Sequence, residues 1–268
     1  MRKNAWVICC CTAVLSAFGI FFRWLQDQAC FEAETGLAVH GSIWPYVVAL
    51  MIAVAAAVLA VVCFRVKNQP HTSFPDSLPA AFAASKRARA VGGVLLGAML
   101  ALGGLWLLLS SGTLSEPSLQ RVLAVLAVVT GVVFARQMLA PGERENDAGA
   151  LVCASMPMVL LVFWLIVSYK VNIINPTISA YAVEILALCA ALIAFYELAG
   201  FVYGRPKAVK SIFWSQFAAF LCITALPDDR AGAQQLMLVA IAGMLLFQSY
   251  LTASNIRPAV SGPAGGAQ

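Results

Sequence analysis

Eight apolar runs dominate this chain of 268 residues, and each is about as long as a bilayer is thick. A hydrocarbon core of roughly 30 Å takes about 20 helical residues to cross. Inside that layer no water is present to bond backbone amides and carbonyls, so a crossing segment must satisfy its own hydrogen bonds as a helix or close into a barrel. The runs lie at 5–25, 44–64, 90–110, 119–139, 150–169, 177–203, 211–227 and 231–253. They predict an all-α, polytopic transmembrane helix bundle of eight spans, forming one domain over residues 1–253. The seventh run is the shortest. Residues 254–268 are expected to form a disordered tail, because Ser261–Gln268 is built of Gly, Ala and Pro.

Composition closes the other routes. Hydrophobic residues make up 62% of the chain and charged ones 11%, with mean hydropathy +0.87. Soluble domains carry about 25% charged residues, so a soluble enzyme is excluded. The net charge of +5 is a matter of topology rather than of nucleic-acid binding. With the N-terminus placed in the cytosol, thirteen of the 17 Lys and Arg residues fall in inside segments and four (Arg23, Arg121, Lys170 and Arg230) fall outside. This is the asymmetry that orients membrane proteins, and dropping one span would scramble it. Both termini are therefore expected on the cytosolic side. Met1-Arg2-Lys3 before an apolar stretch imitates a signal peptide, but the stretch runs on to Phe22, too long for a typical signal core. It reads as a retained first helix.

The eight cysteines do not form a disulfide framework, since seven lie within apolar runs, where a thiol acts as a small packing group. Cys9, Cys10 and Cys11 point about 100° apart on a helix and cannot converge on one ion. The first outer loop carries Asp27, Cys30, Glu32, Glu34 and His40, in a spacing that fits no standard metal motif. No metal and no cofactor are expected. Walker A and G-x-S-x-G motifs are missing, and neither His40 nor His71 lies in a span, which argues against an intramembrane protease that uses histidine. The chain is expected not to be an enzyme.

Ionisable groups at membrane depth are expensive and are functional candidates by default. Two acids lie within a span, Glu184 and Glu197, both on the sixth. They are separated by roughly 19 Å along the axis and by about 140° around it, which argues against a shared carboxylate site. Arg121 and Arg136 on the fourth span match them in depth and are candidate ion-pair partners, although the helical angles allow one such pair at most. Tyr181 sits one turn before Glu184 as a local partner. Gln216 and Gln248 on the last two spans, with Glu197, would outline a polar cavity among spans six to eight, but ordinary interhelical hydrogen bonding is the favoured reading. Glu184, Glu197, Tyr181, Gln216 and Gln248 are thus the substrate or proton-coupling candidates.

Three further features read as structural. Pro157 interrupts the fifth span. Gly93, Gly97, Ala101 and Gly104 form a small-residue strip on the third. The loop 65–89 ends in Lys86, Arg87 and Arg89, after a segment Leu78–Arg89 that is a candidate interfacial helix. Such a cluster attracts anionic lipid headgroups at about 1 kcal/mol per charge, or simply anchors the topology. Gln120-Arg121-Val122-Leu123 loosely echoes Gln234-Gln235-Leu236-Met237, a hint of a repeat between the halves.

Phe31-Glu32-Ala33-Glu34-Thr35-Gly36-Leu37 in the first outer loop, Asn175-Pro176 before the sixth span and Tyr196-Glu197 on it resemble motifs of a group of uncharacterised bacterial polytopic membrane proteins. The resemblance covers these short motifs only and carries no activity; it implies a bacterial plasma membrane. Two function classes follow, and the loops favour the first, since they hold no soluble domain to bind nucleotide or drive transport. One is a non-catalytic scaffold, sensor or subunit of a membrane assembly, with a membrane-protein partner or a second copy of itself. The other is a small transporter or permease-like protein with its site on spans six to eight.

Overall fold

A computed structural model describes residues 2–30, 42–68, 72–83, 85–140, 148–173, 178–228 and 230–258. The chain is a polytopic helix bundle. Its helices are α1 (Arg2–Cys30), α2 (Trp44–Lys67), the single turn α3 (Leu78–Ala81), α4 (Lys86–Ser110), α5 (Pro117–Leu139), α6 (Ala148–Asn172), α7 (Ile178–Ala199), α8 (Ala208–Thr224) and α9 (Gly232–Ser254). Among the described residues seven helices are long and apolar enough to cross a membrane. α8, with 17 residues, is shorter. Prolines sit in the first turns of α2 and α5, where the missing amide hydrogen is no loss. Pro157 lies inside α6, which stays a single helix across it.

Apolar patterning sorts the helices into rim and centre. In the most hydrophobic stretch of α2 22% of residues are buried, against 67% in α9. A helix that is apolar all round but little buried by protein faces lipid. The short α8 is enclosed: 12 of its 17 residues are buried. It packs against α1, α2, α7 and α9, and its aromatic face runs through Phe213, Phe217 and Phe220, with Phe213 and Phe217 stacked at 6.0 Å. α4 and α5 approach closely through small residues. A Cβ on Gly97 would strike the carbonyl oxygen of Gly131, and one on Gly131 that of Gly97. The small-residue strip on α4 therefore does serve packing.

Contacts at the two ends count the crossings. Thr72 and Ser73 pair antiparallel with Pro258 and Arg257, and the Asn255 amide donates to the Ala81 carbonyl at 2.8 Å. The α2–α4 connection and the chain after α9 thus share one end. Between them run α4 to α9, and only an even number of crossings returns to the same end, so α8 crosses with its five longer neighbours. At about 26 Å it is short for lipid, but its neighbours are protein. At the other end Arg23, late in α1, meets Asp228 between α8 and α9, giving the same parity.

Several boundaries differ from expectation. The sixth apolar run stops being helical at Ala199 and turns through Gly204, whose φ of +67° suits glycine. Leu78–Arg89 is not an interfacial helix: α3 is one turn, and Leu78, Ala81 and Phe82 are buried in the core. Arg89 is not a free headgroup anchor, since its guanidinium donates to the carbonyls of Met138 and Phe82 at 2.7 and 3.1 Å. Lys86 and Arg87 are exposed. The chain just after α9 is fastened by the short ladder rather than loose. Glu32, Glu34, His40, His71, Asn175-Pro176, the stretch Gly142–Asp147 and the tail Ser261–Gln268 lie outside the described residues.

Candidate functional site

Helix geometry gathers polar side chains at one end of the bundle. Trp164, Ser168 and Asn172 are spaced by four on α6 and share a face. Tyr181 and Glu184, three apart, do the same on α7. Gln120 opens α5, Gln234 opens α9, and Pro227, Asp228 and Arg230 come from the tight α8–α9 connection. With Asp27 at the end of α1 these side chains line a cavity of about 580 Å³. Trp164 lies eight residues inside the end of α6, so the cavity reaches about 12 Å along that helix.

An ion network forms its wall. Arg23 Nε donates to Asp228 Oδ1 at 2.5 Å, and Arg23 Nη1 to Gln26 Oε1 at 2.8 Å. Arg230 Nη2 contacts the other Asp228 oxygen at 2.6 Å and Glu184 Oε2 at 3.5 Å. Trp164 Nε1 donates to Glu184 Oε1 at 3.1 Å. All four charged side chains are withdrawn from solvent: Arg23 is 1% exposed, Asp228 5%, Arg230 6% and Glu184 11%. Burial pushes the Asp228 carboxyl above the usual carboxylate range, and Arg23 and Arg230 pull against that shift. Beside the network, the Gln234 amide donates to Gln120 Oε1 at 3.2 Å, joining the two glutamines that the sequence echo aligned.

The network does not use up its donors. Arg230 Nη1 is buried and has no hydrogen-bond partner among the described residues. An unmet guanidinium donor in a buried setting is costly, and this one belongs to a cavity-lining side chain. Carboxylates outnumber guanidinium groups, since Asp27, Glu184 and Asp228 face one lining arginine with Arg23 behind it. The arrangement is able to hold a small solute with a positive group near the acids and an acceptor oxygen on Arg230.

The candidates from the sequence separate into three places. Tyr181 and Glu184 line this cavity. Glu197 does not join them: it lies two residues before the end of α7, in a second cavity of about 530 Å³ with Arg205 and Lys207. Gln216 is fully buried at mid-bundle, where its amide oxygen accepts from Thr12 at 2.6 Å and its nitrogen donates to Ser249 at 2.9 Å. Gln248 is buried nearby on α9, and its amide oxygen has no partner among the described residues. Among the described residues no hydrogen bond joins Gln216, Gln248 and Glu197; Gln216 instead bonds between helices, to Thr12 on α1 and Ser249 on α9.

The expected ion pairs are corrected too. Arg121 and Arg136 are exposed and take part in no ion pair among the described residues. Glu184 pairs with Arg230 instead, because the α8–α9 connection folds over the end of α7. Sequence reasoning missed Arg23, Trp164, Asp228 and Arg230. The available signal was that two of the few cations at this end, Arg23 and Arg230, each stand within four residues of an aspartate.

Comparison with known proteins found no family model, no curated protein and no solved structure that matches the chain. Its chemistry is therefore read from its own residues.

Proposed function

We propose that this multi-pass membrane protein is a permease-like, non-catalytic solute-binding protein that admits a small, amine-bearing polar solute to the cavity beside Glu184. The observation that supports this reading is the cavity itself. A scaffold needs its membrane-depth acids sealed in packed protein, whereas Glu184 has one carboxylate oxygen on Trp164, the other loosely on Arg230, and open volume in front. The excess of carboxylates favours a cation-bearing ligand, and Arg230 Nη1 favours one that also offers an acceptor oxygen. Glu184 and Asp228 are tied by arginines, which suits binding better than bond chemistry.

In this reading the cavity faces outward and the opposite end, with Arg65, Lys67, Lys86, Arg87, Arg205, Lys207 and Lys210, faces the cytosol of a bacterial cell. Charge bias supports that orientation, and it places both termini inside. Lys86 and Arg87, being exposed, remain available to anionic headgroups.

Thermal melting of the full-length protein in detergent tests the proposal, with ethanolamine, a neutral amino acid and a polyamine as probes and succinate as the control. At least one amine should raise the melting temperature in a saturable way, and Glu184→Gln should abolish that rise while keeping the helical circular dichroism. A protein indifferent to every amine, or an equal rise in Glu184→Gln, would refute the reading. If Glu184→Gln does not fold, Tyr181→Phe, which removes only a hydroxyl from the cavity, should weaken the same response.

A further inference from the structure

The second cavity has a different character from the first. It lies at the opposite end of α7, and Met158, Tyr196, Glu197, Ala199, Gly200, Tyr203, Arg205 and Lys207 line it around about 530 Å³. The turn after α7 builds its rim. Arg205 N donates back to the Gly200 carbonyl at 2.8 Å, closing the loop that carries Tyr203 and Gly204. Lys207 is the residue before the first turn of α8, and no acidic side chain occupies that turn. The positive end of the α8 dipole is therefore not offset locally, and Lys210, exposed one turn on, adds to it.

Neither Arg205, Lys207 nor Glu197 takes part in an ion pair among the described residues. Two unpaired cations thus stand against one carboxylate. Tyr196 and Tyr203 are 66% and 51% exposed, in the manner of aromatics that sit at headgroup level. Met158 is the α6 side chain in the lining, so the cavity borders that helix beside its charged rim. Val152 and Val159 share a stripe about a third of a turn round α6 from Met158 and are half exposed. A charged rim that leads into an exposed apolar helix surface matches a molecule with an anionic head and apolar tails.

We propose that this cavity is a binding site for one anionic phospholipid, with the phosphate held by Arg205 and Lys207, the tyrosines flanking the headgroup, and an acyl chain lying along α6 past Met158. The site is independent of the solute reading, which concerns the other end of α7. It is also separate from Lys86 and Arg87, which lie on another helix. Glu197 opposes the phosphate, so it limits affinity.

Native mass spectrometry of the full-length protein, titrated with phosphatidylglycerol, phosphatidylcholine or inorganic phosphate, tests the site. One phosphatidylglycerol should be retained in preference to phosphatidylcholine. The double variant Arg205→Gln/Lys207→Gln should bind it roughly thirty-fold more weakly, as expected for two charges near the surface. Lys86→Gln/Arg87→Gln should leave that retained lipid in place. Glu197→Gln should bind it several-fold more tightly, which keeps the proposal testable if the double variant does not fold. Equal retention in the double variant and the native chain overturns the proposal. So does full displacement by millimolar inorganic phosphate, which would assign the site to a free anion.

Discussion

α7 meets the same ingredients at its two ends and treats them in opposite ways. At one end Glu184 faces Arg230, with Arg23 and Asp228 behind, and all four side chains are nearly sealed from solvent. At the other end Glu197 faces Arg205 and Lys207, and the two cations stay exposed without an ion pair among the described residues. The difference is the connection. The α8–α9 link is a tight turn that lays Asp228 and Arg230 against the bundle, while the α7–α8 link swings Arg205 and Lys207 outward. Burial makes charge pairing compulsory at the first end, because an unpaired charge in protein costs several kcal/mol. Solvent and headgroups relax that demand at the second. The first end is therefore where paired charge carries stability while one Arg230 donor stays unmet beside the cavity, and the second is where whole cations are left without an ion pair among the described residues.

The contrast breaks most sharply at Asp228. Asp228→Ala leaves Arg23 with Gln26 and the more distant Asp27 and Arg230 with Glu184 alone, so it should lose about 3–5 kcal/mol of stability. Unfolding of the purified protein in detergent measures this. A loss below about 1 kcal/mol would mean that the network is not what holds α1 to the α8–α9 turn. Gln216→Leu, between the two ends, should lose about 1 kcal/mol by the same measurement, since each interhelical hydrogen bond is modest in a membrane protein. A loss as large as that of Asp228→Ala would move the centre of stability from the ion network to mid-bundle. Arg205→Ala should change stability by less than about 0.5 kcal/mol, as befits an exposed side chain. If it destabilises as much as Asp228→Ala, the two ends do not differ in the way described.

Much of the fold was readable in the chain, for one physical reason: hydrocarbon forbids an unsatisfied backbone, so each long apolar run had to become a helix. Boundaries drifted where polar residues extend a helix beyond the lipid, as with α1 running on to Cys30, and where an apolar run leaves helical geometry, as after Ala199. The site was less readable. Glu184 and Tyr181 stood out because acids and their neighbours within apolar runs are rare. Arg230 and Asp228 looked like loop charges, because nothing local shows that a short turn is pressed into the bundle. Arg121 looked like a partner by depth alone, but α5 presents it to the outside. Gln216 gave its polarity away but not its partners, since Thr12 belongs to the first helix.

By itself, then, the sequence determined the helices, the bundle class and the uneven spread of cations, each of which depends on local composition and on the thickness of a bilayer. Tertiary structure alone decided which charges are buried and whom they meet. Arg23 and Asp228 are 205 residues apart. Their pairing follows from how rigid helices are rotated and set against one another, and that depends on side-chain packing between segments distant in the chain, a quantity no single run of residues contains.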